Sequence, residues 1–177
     1  IDIRYDSKSV RLDVFVEDDQ GTLYDIEMQT TDGDTPDELP KRARYYQAML
    51  DMDVLNKGEL YTQLRKSFVI FICTFDPFEG RKSIYTFQET CKENPALAMG
   101  DETTKIFLNS LGSREGLDSD IAAFLDYVNG LSAKGRFTKS IESEVRKVKA
   151  HKETRWEYMT LMMEMKKQWQ EGHAEGK

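Results

Sequence analysis

The chain has 177 residues, 39% of them hydrophobic, enough to build one core of ordinary size with a helical appendage. A formal net charge of −7 excludes a protein that coats nucleic acid by bulk electrostatics, so any DNA contact must be local. The longest uncharged apolar run, SFVIFICTF, is far too short to span a bilayer, and no signal peptide is visible. No membrane is therefore expected as a partner, and the cytoplasm is the default compartment. Cys73 sits in an apolar run and Cys91 after a strand-like one; without CxxC spacing or a nearby histidine, neither zinc nor a disulfide is indicated.

The first element is a β-hairpin in RLDVFVEDDQGTLYDIEMQ, residues 11–29. A hairpin loop of this length wants a residue tolerant of positive φ in its last position, and Asp19-Gln20-Gly21 offers glycine there. Asp18 then pairs with Thr22, and the register follows. Leu12 meets Met28, Val14 meets Ile26 and Val16 meets Tyr24 on one face, read as the apolar surface that pins the sheet to its core. On the other face Arg11 lies opposite Gln29, Asp13 opposite Glu27 and Phe15 opposite Asp25. Like charges so placed repel, and a fold tolerates Asp13 beside Glu27 if one acid is protonated, if basic groups intervene, or if a divalent cation sits between them. A plain solvated face neutralised by Arg11 and nearby lysines is the simpler alternative. Glu27 and Gln29 point the same way, Asp25 adds another acid, and a long crossover follows; these favour the cation.

Polar TTDGDT leads to a helix with two competing starts, Thr35 as cap with Glu38 behind it, or Pro40 in the first turn. Leu39, Ala43, Tyr46, Leu50 and Val54 recur at helical spacing, and Gly58 is a good stop. Residues 67–75 read as a strand buried on both faces, hence central and parallel, with the helix as crossover. Segments 83–88 and 105–111 are two further strands. Asp118 or Ser119 caps the short helix IAAFLDYVNG that Gly130 ends, and a second helix runs from about Thr138 with Ile141, Val145, Val148, Tyr158, Met162 and Trp169 as apolar positions. His151 and His173 lie in this charged region and are no credible general base. The pattern is α/β, with a mixed sheet flanked by helices and a helical C-terminal extension.

Asp on one strand followed by Glu-x-Gln on the next, as Asp13, Glu27 and Gln29, resembles the Glu-x-Lys signature of the PD-(D/E)XK phosphodiesterases. With LPKRARYYQAML at 39–50, KGELY at 57–61 and FVIFICTFDPF at 68–78 in order, the chain is most similar to the Rpn recombination-promoting nucleases, the PD-(D/E)XK nuclease family transposases. Glutamine in the lysine position is that family's own pattern. The resemblance implies a restriction-endonuclease-like core at 1–112 and a helical extension at 113–177. Members carry a helix before the first strand, and this chain opens at Ile1 in strand-like sequence, so that helix is expected to be missing.

The implied activity is metal-dependent endonucleolytic cleavage of DNA in recombination. Asp13 and Glu27, with the backbone carbonyl of Met28, would hold Mg²⁺, for which Mn²⁺ substitutes. Bound there, the cation would supply polarisation of the phosphodiester and activation of a water. Gln29 cannot take a proton and would orient the attacking water by hydrogen bonds. Lysine's electrostatic role falls to Lys41 or Arg42 at the start of the crossover helix, and Arg42 is preferred because its fork fits phosphate. Tyr45 and Tyr46 lie beneath the site or in the core. A non-catalytic remnant acting as a DNA-binding or assembly module, and an RNA-directed nuclease, are the alternatives; the C-terminal helices are candidates for self-association.

Overall fold

Strands β1 (Val14–Glu17) and β2 (Leu23–Gln29) meet at the Asp-Gln-Gly turn in the register that the turn dictates. Gly21 has φ +79°, Asp18 N donates to Thr22 O at 3.1 Å, and Val14, Phe15 and Val16 pair with Ile26, Asp25 and Tyr24. The Asp18 carboxylate locks the turn, accepting from the Gln20 and Thr22 N–H groups at 2.9 and 2.8 Å and from the Tyr24 hydroxyl at 3.1 Å. Of these, the Thr22 N–H does most to hold the Asp18 carboxyl below its ordinary range. The computed structural model describes residues 14–30, 38–56 and 58–150. Arg11, Leu12, Asp13, Thr35, Lys57 and the segment 151–177 with both histidines and both tryptophans lie outside the described residues.

Helix α1 (Glu38–Val54) carries Pro40 in its first turn, where a missing N–H costs nothing. It buries Leu39, Ala43, Tyr46 and Leu50, the predicted stripe, against β3 (Ser67–Cys73). The helix stops at Val54, short of Gly58, and Val54 itself is half-buried. β3 is the middle of the sheet, as expected of a strand buried on both sides. β4 (Ile84–Phe87) and β5 (Thr103–Asn109) complete the order β1-β2-β3-β5-β4. β2, β3 and β5 are mutually parallel, while β1 and β4 run antiparallel at the edges. This mixed sheet fits an α/β restriction-endonuclease-like fold.

The sheet reverses the expected roles of the two hairpin faces. Val14, Val16 and Met28, read above as core, are 49%, 43% and 44% exposed, whereas Asp25 and Glu27 are buried. The cause is register: parallel pairing sets Asp25, Glu27 and Gln29 beside Val69, Phe71 and Cys73, and that side of β3 is the one covered by α1. A hairpin taken alone cannot tell which face a distant helix will choose. The helix also buries a polar residue that periodicity passes over. Gln47 Nε2 donates to Ser67 Oγ at 2.7 Å and to Asp51 Oδ1 at 3.0 Å, satisfying the hydroxyl of a fully buried strand residue.

Phe71 is the centre of the core, fully buried and stacked between Tyr46 and Phe107 at centroid distances of 6.0 and 5.4 Å. Phe71→Ala is expected to cost about 3–5 kcal/mol, read as a fall in the urea midpoint without a change in slope.

Contacts divide the chain into the units Ile1–Leu117 and Asp118–Lys177. In the second, Asp118 caps α2 (Ser119–Val128) by accepting from the Asp120 and Ile121 N–H groups, and Gly130 follows it at φ +83°. α3 spans Arg136–Ala150; Phe137 meets Phe124 of α2 at 6.1 Å, and Leu125 is fully buried. Ile141 and Val145 are half-buried and Val148 is exposed, a weak apolar stripe on a helix laced with Glu142–Arg146 and Glu144–Lys147 pairs. Among the described residues, no helix is long and apolar enough to cross a membrane.

Candidate active site

Alternation along β2 sends Leu23, Asp25, Glu27 and Gln29 to the side under α1. The ladder leaves no choice of direction. Asp25 is fully buried, Glu27 is 4% exposed, and Gln29 at the strand's end is half-buried, so the face runs from the interior toward an opening. Burying a carboxylate is costly unless charge or hydrogen bonds compensate it.

At Glu27, Arg42 supplies a compensating charge. Its Nη1 donates to Gln29 Oε1 at 2.9 Å, its Nη2 donates to the Tyr46 hydroxyl at 3.1 Å, and the same Nη2 lies 4.0 Å from Glu27 Oε2. The guanidinium carbon stands 5.5 Å from the centroids of both the Tyr46 and Phe71 rings. A planar, forked cation is thus laid on an aromatic floor with its donors aimed along the acidic strand, a task that a lysine's point charge could not perform. The helix makes this possible, since Arg42 and Tyr46 are one turn apart on one face. Lys41, displaced by about 100° around the helix from Arg42, is exposed.

The pieces are not all of one kind. Cys73, in register with Gln29, is fully buried; burial pushes its thiol up to about 12, against a smaller opposing effect of Arg42. It is a protonated packing group at neutral pH, neither nucleophile nor ligand. Met28 turns its side chain to the opposite, exposed side of the sheet, so only its backbone could serve a cation. Among the described residues no set of three His, Cys, Asp or Glu side chains could hold a metal ion. The oxygen donors of Asp25 and Glu27 on one face suit a hard cation such as Mg²⁺ or Mn²⁺ but need a further acid to complete a set.

Sequence reasoning placed Glu27, Gln29 and Arg42 as candidates, and the fold brings those side chains together. It did not place Asp25 inside the protein, nor pair Tyr46 with Arg42. The second was legible as a spacing of four on a helix, the first only after α1 had been assigned to a face.

The face of β2 under the crossover helix therefore gathers two acids, a glutamine and an arginine. The family model of the PD-(D/E)XK nuclease family transposases matches residues 2–172. No curated protein and no solved structure matches the chain. On a match spanning nearly the whole sequence and a sheet of the right topology, the chain belongs to the PD-(D/E)XK nuclease family transposases.

Proposed function

We propose that this nuclease-family chain is a divalent-dependent DNA endonuclease whose working residues are Asp13, Glu27, Gln29 and Arg42. The observation that carries the reading is Arg42, bonded to Gln29 and 4.0 Å from Glu27 on the acidic face of β2. Continuing the hairpin register by one pair from Val14↔Ile26 would set Asp13 opposite Glu27. Asp13, Glu27 and the Met28 carbonyl would then hold Mg²⁺ or Mn²⁺. When bound, such an ion supplies Lewis-acid polarisation of the phosphodiester and neutralises its charge.

The chain's own groups do the rest. Gln29 orients the attacking water through its amide, held in place by the Arg42 bond. Arg42, while holding Gln29 and Tyr46, offers its remaining N–H groups to a phosphate oxygen and stands in for lysine; Lys41, exposed one residue earlier, attracts the strand at longer range. In the cell this reading assigns the activity to DNA recombination in the cytoplasm, with residues 1–112 as the catalytic core and 113–177 as a helical extension for self-association.

One observation favours a second reading. Arg42 places a positive charge 4.0 Å from Glu27, a partner that would also serve a non-catalytic DNA-binding remnant. Plasmid nicking with Mg²⁺, Mn²⁺, Ca²⁺ or EDTA separates the two. Cleavage with Mg²⁺ or Mn²⁺ that is lost in EDTA and falls about a hundredfold or more in Asp13→Ala is expected. A folded wild type inert with every divalent ion on both plasmid and RNA would favour the remnant, and cleavage of RNA alone would make it an RNA-directed nuclease.

A further inference from the structure

Across β3 from Glu27, a cavity of about 260 Å³ opens between α1 and the β4–β5 pair. Phe78, Phe87 and Phe107 line it, with centroid separations of 5.0, 5.0 and 5.7 Å around the triangle. Phe107 is almost fully buried and, with Ala43, belongs to the core; Phe87 is 44% exposed, so one aromatic wall faces solvent. Arg44, Lys105 and Glu89 also border it, two cations and one acid in a chain of net charge −7. Arg44 has no ion-pair partner among the described residues.

The wall is held in advance. Asp76 accepts from the Tyr85 hydroxyl and the Arg81 N–H, both at 2.7 Å, and from the Phe78 N–H at 3.2 Å, fixing the turn that presents Phe78. Glu79 and Arg81 in that turn sit at φ +56° and +57°, a strained backbone that only such bonds sustain.

We propose that this cavity is a stacking subsite for one unstacked base of a DNA strand, with Arg44 and Lys105 contacting the adjoining phosphates. The inference rests on the nuclease reading for its ligand class. Sites for drug-sized ligands run from about 300 to 1,000 Å³, so this smaller one takes a single planar ring system and leaves sugar and phosphate outside, where the cations are. Aromatic faces accept any base, and Glu89 adds an acceptor for a ring or exocyclic N–H. Position agrees: Glu27 pairs with Phe71 and Phe71 with Phe107, so cavity and acid are two strand spacings apart, about 10 Å, within reach of neighbouring nucleotides of one strand.

The test is fluorescence anisotropy of the full chain in EDTA, comparing single-stranded oligothymidylate with an abasic deoxyribose-phosphate oligomer of equal length and charge. The base-bearing strand is expected to bind roughly tenfold more tightly. Phe87→Leu, which keeps apolar volume without a ring face, should bring the two affinities together, while Phe87→Trp preserves the difference. Arg44→Ala should weaken both strands alike and lower the salt slope by about 0.7. Equal wild-type affinity for the two strands, or an undiminished difference in folded Phe87→Leu, would overturn the proposal. Failure of the nuclease reading would show elsewhere, as wild type that never nicks plasmid with any divalent ion.

Discussion

Glu27→Gln is expected to lower divalent-dependent cleavage by about a hundredfold or more and to remove most Mn²⁺ binding, with little loss of stability. The substitution keeps shape and an acceptor oxygen while deleting the negative charge that a hard cation needs. Stability should hold because Arg42 retains Gln29 and Tyr46 as acceptors, and because the contact to Glu27, at 4.0 Å, is loose. Gln29→Ala is the informative companion. If Gln29 only positions water, turnover falls while Mn²⁺ affinity by calorimetry stays near wild type. Equal loss of Mn²⁺ binding in the two variants would make Gln29 a ligand and end the water-positioning role.

Much of the core was legible because each piece carries its own local rule. Gly21 at the end of a short loop sets the hairpin register without knowledge of the rest of the chain. The run from Ser67 to Cys73 has to be central because a strand apolar on both sides needs two covers. What the local rules could not supply was sidedness. Val14, Val16 and Met28 are the more apolar set, yet α1 lies on the other face, because Val69, Phe71 and Cys73 on β3 accept its stripe and β2 follows in register. The acids are buried as a consequence of their neighbour's packing. The same gap hid Gln47, whose burial answers to Ser67 twenty residues away. Arg42 was named beside Lys41 only to fill the lysine role of the resembled family, and its partners were not foreseen: Gln29 lies thirteen residues back and Tyr46 four ahead.

That asymmetry makes Arg42 the residue whose substitution separates mechanisms most sharply. Arg42→Ala is expected to reduce cleavage by about a hundredfold while leaving Mn²⁺ affinity at or above the wild-type value. A cation 4.0 Å from Glu27 Oε2 opposes a divalent ion at the same carboxylate, so its removal should not weaken the ion, whereas the transferring phosphoryl group loses its forked donor. Truncation also strips the guanidinium from the Tyr46 and Phe71 rings and leaves Glu27 less compensated, a cost of about 1–3 kcal/mol that thermal unfolding would read. Arg42→Lys isolates the fork from the charge. Lysine restores a positive group and most of the stem's packing, but one ammonium cannot span Gln29 and Tyr46 as the two guanidinium nitrogens do. Stability should therefore recover more fully than turnover. Were Mn²⁺ affinity to fall in step with activity in both variants, Arg42 would be acting by holding Glu27 in place, and the phosphate-anchoring role would be wrong.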